Sequence, residues 1–138
     1  WCALASLVGE DETIDAATAT RLRDYYERWY RPDNAALIVI GDYVFVHAGI
    51  DPSRPIEDQS AKDLRWIRER FLNTVGPLSH VIVHGHTIFE DVEDQGHRIG
   101  IDTGAFRTGV LTALVLEGTE RRYIQAIERD GRITIQHG

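Results

Sequence analysis

Four short stretches of the chain carry residues able to do chemistry together. Phe45-Val46-His47-Ala48-Gly49-Ile50 puts a histidine at the end of an apolar run, and the small residues after it leave room for an ion beside the imidazole. Val81-Ile82-Val83-His84-Gly85-His86-Thr87 repeats the pattern, and two imidazoles delivered by separate strands are a common part of a transition-metal site. Between them, Asp63-Leu64-Arg65-Trp66-Ile67-Arg68-Glu69-Arg70 sets Arg65, Arg68 and Glu69 on one helical face. Such a face either pairs its own charges or presents a guanidinium that grips an oxyanion through two parallel hydrogen bonds. Lastly, Ile101-Asp102-Thr103-Gly104-Ala105 leads to Gly109-Val110-Leu111-Thr112-Ala113-Leu114. Its carboxylate and hydroxyl either orient neighbouring ligands or close an Asx turn between strands. Taken singly, each stretch has an ordinary structural explanation.

The elements that must position these residues are legible in the apolar periodicity. Ala16, Leu22, Tyr25, Tyr26 and Trp29 recur at helical spacing, so a helix is expected from Asp15 to Tyr30, ended by Arg31-Pro32-Asp33-Asn34. Ala36 to Ile40, a Gly41-Asp42 turn and Tyr43 to His47 read as a hairpin whose second strand ends at His47. Ser60-Ala61-Lys62-Asp63 resembles a capping box, opening a helix that should run to about Asn73 with Leu64, Ile67, Phe71 and Trp66 as its apolar stripe. A strand over His80 to Val83 runs into His84, and further strands are expected over Arg98 to Asp102, Leu111 to Glu117, Arg121 to Ile127 and Arg132 to Gln136. Helices early and strands late predict a sheet-rich α/β fold with packed layers.

Bulk properties exclude several classes. The 138 residues suit one domain or part of a larger one, and the opening Trp1 with no methionine reads as a trimmed or internal segment. A net charge of -7 argues against a nucleic-acid partner, which is gripped through clustered Lys and Arg. No apolar run approaches the roughly 20 residues of a membrane span, and no signal peptide is visible. The single cysteine, Cys2, has no partner for an internal disulfide, which fits a cytoplasmic setting.

In their order and spacing, the four stretches resemble the C-terminal half of bacterial serine/threonine protein phosphatases of the PPP type, within the calcineurin-like metallophosphoesterases. The resemblance rests on a strand ending in His-Ala-Gly, a Trp-x-Arg-Glu helix, a strand ending in Gly-His-Thr, and Ile-Asp-Thr-Gly-Ala before Gly-x-Leu-Thr. It implies a layered metallophosphoesterase-type α/β sandwich, present only as its C-terminal half over residues 42–138, with residues 1–41 poorly matched. It further implies His47 and His86 as metal ligands, Arg68 as the residue that binds the substrate phosphate, and His84, Asp102 and Thr103 as supports around them. Two divalent ions would serve the complete enzyme, manganese first, with iron or zinc as alternatives. The implied substrates are a phosphorylated protein or a small phosphate ester.

The same resemblance implies that this chain alone is incomplete. The family's Asp-x-His, Gly-Asp-x-x-Asp-Arg-Gly and Gly-Asn-His-Asp/Glu motifs do not occur, and Phe45 stands where the second would place an aspartate. The alternatives are hydrolysis of symmetrical dinucleoside tetraphosphates, or a non-catalytic binding or assembly module in which two copies pair through exposed sheet edges. Ahead of these motifs, Leu22 to Leu37 is similar to a helix-to-strand stretch of insulinase-like M16 zinc peptidases, where Tyr-x-Pro-x-Asn leads into an apolar strand and a Gly-Asp turn. That family's His-x-x-Glu-His motif is absent.

Overall fold

The computed structural model describes residues 36–118 and 120–138, so the helix expected over Asp15 to Tyr30 lies outside the described residues. Among them the chain forms a mixed α/β structure with two sheets. The first sheet contains β1 (Leu37–Ile40), β2 (Tyr43–Val46), β3 (Val81–His84), β4 (Glu93–Asp94) and β5 (Arg98–Gly100), in the spatial order β1-β2-β3-β5-β4. The second is a meander of β6 (Val110–Glu117), β7 (Glu120–Arg129) and β8 (Arg132–His137).

The hairpin read from the Gly-Asp turn is present: β1 and β2 pair antiparallel, Ile40 opposite Tyr43 and Leu37 opposite Val46. Gly41 sits at a φ of 56°, the left-handed conformation that a tight turn between such strands demands. The boundary expected between residues 41 and 42 therefore falls inside this turn. β2, β3 and β5 then run parallel, Val46 level with His84 and His84 level with Gly100. Their C-terminal ends emerge along one edge of the sheet. The residues that follow, His47, Gly85-His86 and Ile101-Asp102, are thus delivered to a common rim, where ligands bind in open parallel sheets.

A single helix to about Asn73 is replaced by two short ones, α1 (Ala61–Trp66) and α2 (Glu69–Leu72), with a corner at Ile67 and Arg68. Packing explains the break. Leu64, Ile67 and Phe71 all reach the core beside Val44, Val46, Ala48, Ile50 and Ile82, and the Leu64 carbonyl accepts the Ala48 amide at 2.8 Å. The fourth residue of the expected stripe does not join them, since Trp66 is 64% exposed. The cap is as read: Ser60 Oγ accepts the Asp63 amide at 3.0 Å and donates to its carboxylate at 2.6 Å. Ser60→Ala is expected to cost about 1 kcal/mol in urea unfolding; an unchanged midpoint would show the cap to be idle.

The strands differ in detail. The expected strand from Arg98 stops at Gly100, because Asp102 turns back to bind the Gly104 amide at 3.0 Å and a short helix, α3 (Ala105–Thr108), follows. The last strand is fully paired to β7, from Arg129 opposite Arg132 to Ile124 opposite His137. Tyr43 of the first sheet meets the second through its hydroxyl, which accepts from Arg121 Nε at 3.0 Å, and Arg121 also pairs with Asp94 at 3.0 Å.

Candidate functional site

The rim brings His47 and His86 together. His47 Nε2 lies 3.1 Å from His86 Nδ1, and the rings tilt at 55° with centroids 4.9 Å apart. Backbone bonds fix the two strand ends against each other, the Gly85 amide donating to the His47 carbonyl at 2.9 Å. His86 holds a φ of 64°, a left-handed conformation that costs a non-glycine residue energy and is retained only when its surroundings impose it. Its Nε2 is buried and has no hydrogen-bond partner among the described residues.

Arg68 joins them from the α1–α2 corner. Its Nη1 donates to Thr87 Oγ1 at 3.3 Å, and its backbone, at φ -135° and ψ -105°, lies outside the ordinary regions. Two residues of one small rim are therefore held in uncommon backbone conformations. Trp66 completes this side, its ring edge-on to His86 at 5.5 Å. Sequence reading placed Trp66 in the core stripe; a one-residue offset from Ile67 on a helix that then breaks turns it to the rim instead.

Electrostatics favours neutral imidazoles. Burial first, and then the Arg68 cation and His47, hold His86 down at about 4. His47 is lowered too, chiefly by burial, with Asp102 working in the opposite direction. At neutral pH both rings keep a lone pair for a cation. A tetrahedral zinc ion with bonds of 2.0–2.1 Å spaces two nitrogen ligands by roughly 3.3 Å, close to the 3.1 Å seen here. The pair is spaced to share either a proton or an ion.

The other three expected residues occupy different places. His84 is 1% exposed, edge-on to Phe71 at 5.0 Å and Phe89 at 6.2 Å, and its Nδ1–H donates to the Gly85 carbonyl at 3.2 Å. Thr103 is buried beneath the rim, where its hydroxyl donates to the Val110 carbonyl at 2.7 Å and lies 2.9 Å from Thr112 Oγ1. It ties the turn to β6 rather than orienting an imidazole. Asp102 raises the proton affinity of His47 and His86 through its charge while its Oδ1 closes the turn onto Gly104. Among the described residues no group of three or more His, Cys, Asp or Glu is placed to hold a metal ion.

Comparison with known proteins points away from phosphate chemistry. The family model that matches is the peptidase M16 inactive domain, over residues 16–44. Two relatives, each described as "Probable zinc protease PqqL", come from Haemophilus influenzae and Escherichia coli K12. Each is 43% identical over 35 residues, which is 25% of this chain and 4% of the relative. The chain thus spans a small fraction of the length of the curated relatives it matches. No solved structure matches it. Within the described residues, the matched stretch supplies β1, the turn and the first residues of β2, so it is built into the sheet that carries the rim.

These findings correct the reading drawn from the four motifs. The similarity is to a peptidase family, so the phosphoprotein phosphatase and metallophosphoesterase identity is set aside, and with it the dinucleoside tetraphosphate alternative. The phosphorylated-protein and phosphate-ester substrates go as well, as does the sheet-edge homodimer derived from that fold. Manganese is likewise unsupported, since both relatives are described as zinc proteases. The motifs alone never carried that identity, since histidines, an arginine and an Asp-Thr-Gly turn at the edge of a parallel sheet serve many chemistries. No described helix is long and apolar enough to cross a membrane.

Proposed function

We propose that this chain is a non-catalytic module related to the peptidase M16 inactive domain, which offers His47 and His86 to a zinc-class ion and Arg68 to the carboxylate of a peptide. The observation that carries the reading is the 3.1 Å approach of the two imidazoles beside Arg68, on a rim whose first strand comes from the M16-like stretch. Two neutral nitrogens make an incomplete site, so the remaining ligands come from the bound partner, and a peptide carboxylate is a fitting donor for zinc. Asp102 steadies the site by its charge, while Thr103 holds the turn after Asp102 against β6. The β1–β2 hairpin spans the boundary between residues 41 and 42, which supports treating the described residues on either side of it as one module. A cytoplasmic setting suits the single cysteine.

Catalysis is not expected of this chain, because the peptidase motif His-x-x-Glu-His, which pairs zinc ligands with a general base, is absent from its sequence. Equilibrium dialysis against zinc in the presence of a carboxylate-bearing peptide is expected to load one ion per chain, with His47→Ala or His86→Ala weakening uptake about tenfold or more. Copper(II) at the same site should quench Trp66, whose ring lies 5.5 Å from that of His86. Because the chain has three tryptophans, Trp66→Phe serves as the control for that signal. Equal zinc uptake by the wild-type chain and the His47→Ala/His86→Ala double variant would sink the reading.

A further inference from the structure

The rim depends on where Arg68 is held, and the residue two positions later ties its own helix to two other elements. Arg70 Nη2 lies 3.2 Å from Asp51 Oδ2 and 3.0 Å from Asp63 Oδ1. Asp51 sits on the loop that leaves His47, is 3% exposed, and is fixed by the Ser53 amide at 3.0 Å and the Ser53 hydroxyl at 2.7 Å. Asp63 belongs to α1, where its other carboxylate oxygen accepts from Ser60 at 2.6 Å. Arg70 itself belongs to α2. One guanidinium therefore bridges the His47 loop and both helices that meet at Arg68.

This arrangement meets a specific need. Nothing in Trp66-Ile67-Arg68-Glu69 is a helix breaker, and the local sequence alone favours a continuous helix. The backbone of Arg68 at φ -135° and ψ -105° persists only if its surroundings over-determine it. Burial of Ile67 and Phe71 fixes the apolar side of the corner. The polar side is fixed by Arg70.

We infer that Arg70 is a positioning residue, which locks the α1–α2 corner onto the His47 loop and thereby keeps the Arg68 guanidinium against the His47–His86 pair. One nitrogen, Nη2, reaches both carboxylates, and the guanidinium behind it is always charged. The inference rests on the reading of the rim as a binding site, and it refines how that site is built. Arg68 is the group that would meet a ligand; Arg70 acts through it.

The test reads the imidazole nitrogen signals of His47 and His86 in the metal-free chain by NMR. Arg68→Gln should displace these signals, because its guanidinium is held at Thr87, directly after His86, whose ring lies 3.1 Å from that of His47. Arg70→Gln is expected to reproduce most of that displacement, Arg70→Lys a smaller part of it, and the Arg68→Gln/Arg70→Gln double variant no more than Arg68→Gln alone. Amide signals of β6 to β8 in the same samples report whether the fold survives; if Arg70→Gln unfolds, Arg70→Lys carries the comparison. Imidazole signals that stay at their wild-type positions in a folded Arg70 variant, or displacements that simply add, would overturn the inference. Zinc uptake by the wild-type chain is measured apart from these spectra, so failure of the binding reading and failure of the positioning role are distinguishable.

Discussion

Stability is expected to fall by about 3 kcal/mol as pH drops from 6.5 to 4, with His84 as the main cause. Burial holds its imidazole at about 4, against an ordinary value of 6.5. The ring is 1% exposed between Phe71 and Phe89, its Nδ1–H engages the Gly85 carbonyl, and its Nε2 has no partner among the described residues. A second proton would place a cation with an unsatisfied N–H against two aromatic rings. The unfolded chain takes up that proton near 6.5 and the folded chain only near 4. The contribution is therefore complete above 6.5, shrinks as pH falls through the interval, and is exhausted below about 4. His47 and His86 are lowered as well and steepen the same limb, their share reduced by screening at the rim. Chemical denaturation across this range should show the slope in the wild-type chain and a shallower one in His84→Leu. An unchanged slope in that variant would remove His84 from the account.

How much of this was legible in the sequence differs from element to element. β1 and β2 were readable because two β-prone apolar runs flank a Gly-Asp pair, the signature of a hairpin turn. The meeting of His47 and His86 was readable for a topological reason: each follows an apolar strand, and parallel strands deliver their ends to one edge. The break at Arg68 was not readable. It answers to the burial of Ile67 and Phe71 and to the Ala48–Leu64 bond, and those demands come from distant parts of the chain. Trp66 was misplaced for the same reason. β8, by contrast, was readable, since Ile133 and Ile135 alternate with polar residues after an Asp130-Gly131 turn in which both residues have positive φ, although all six of its residues are exposed.

The function drawn from the four motifs went further than their physics allows. A histidine after a strand, an arginine at a helix corner and an Asp-Thr-Gly turn describe how a parallel sheet presents polar groups at its edge, and a sheet edge serves many chemistries. All four motifs lie after residue 44, whereas the matched peptidase M16 stretch lies within residues 16–44. That earlier stretch contributes a structural strand and no ligand to the rim among the described residues, so its chemistry left no mark on the motifs.

The largest destabilisation is expected where the His47 loop presses against α2. Gly49 has a φ of 149°, and a Cβ built there would stand 2.7 Å from Phe71 Cγ and Cε1 and nearer still to Cδ1. Alanine at this position meets both an unfavourable backbone conformation and a rigid ring that is 0% exposed and has no space to yield. Gly49→Ala should therefore cost about 3 kcal/mol or more. Phe71→Ala should cost roughly 3–5 kcal/mol by opening a cavity in the core, beneath both the loop and the His84 ring. The two costs have a common origin, since truncating Phe71 removes the ring that the new methyl would strike and the methyl fills part of the cavity. The double variant should accordingly be more stable than the sum of the single effects by about 1 kcal/mol or more. Urea unfolding of the four proteins measures this directly. Effects that add within about 0.5 kcal/mol would mean that the loop and the helix are not in the contact on which the rim is built.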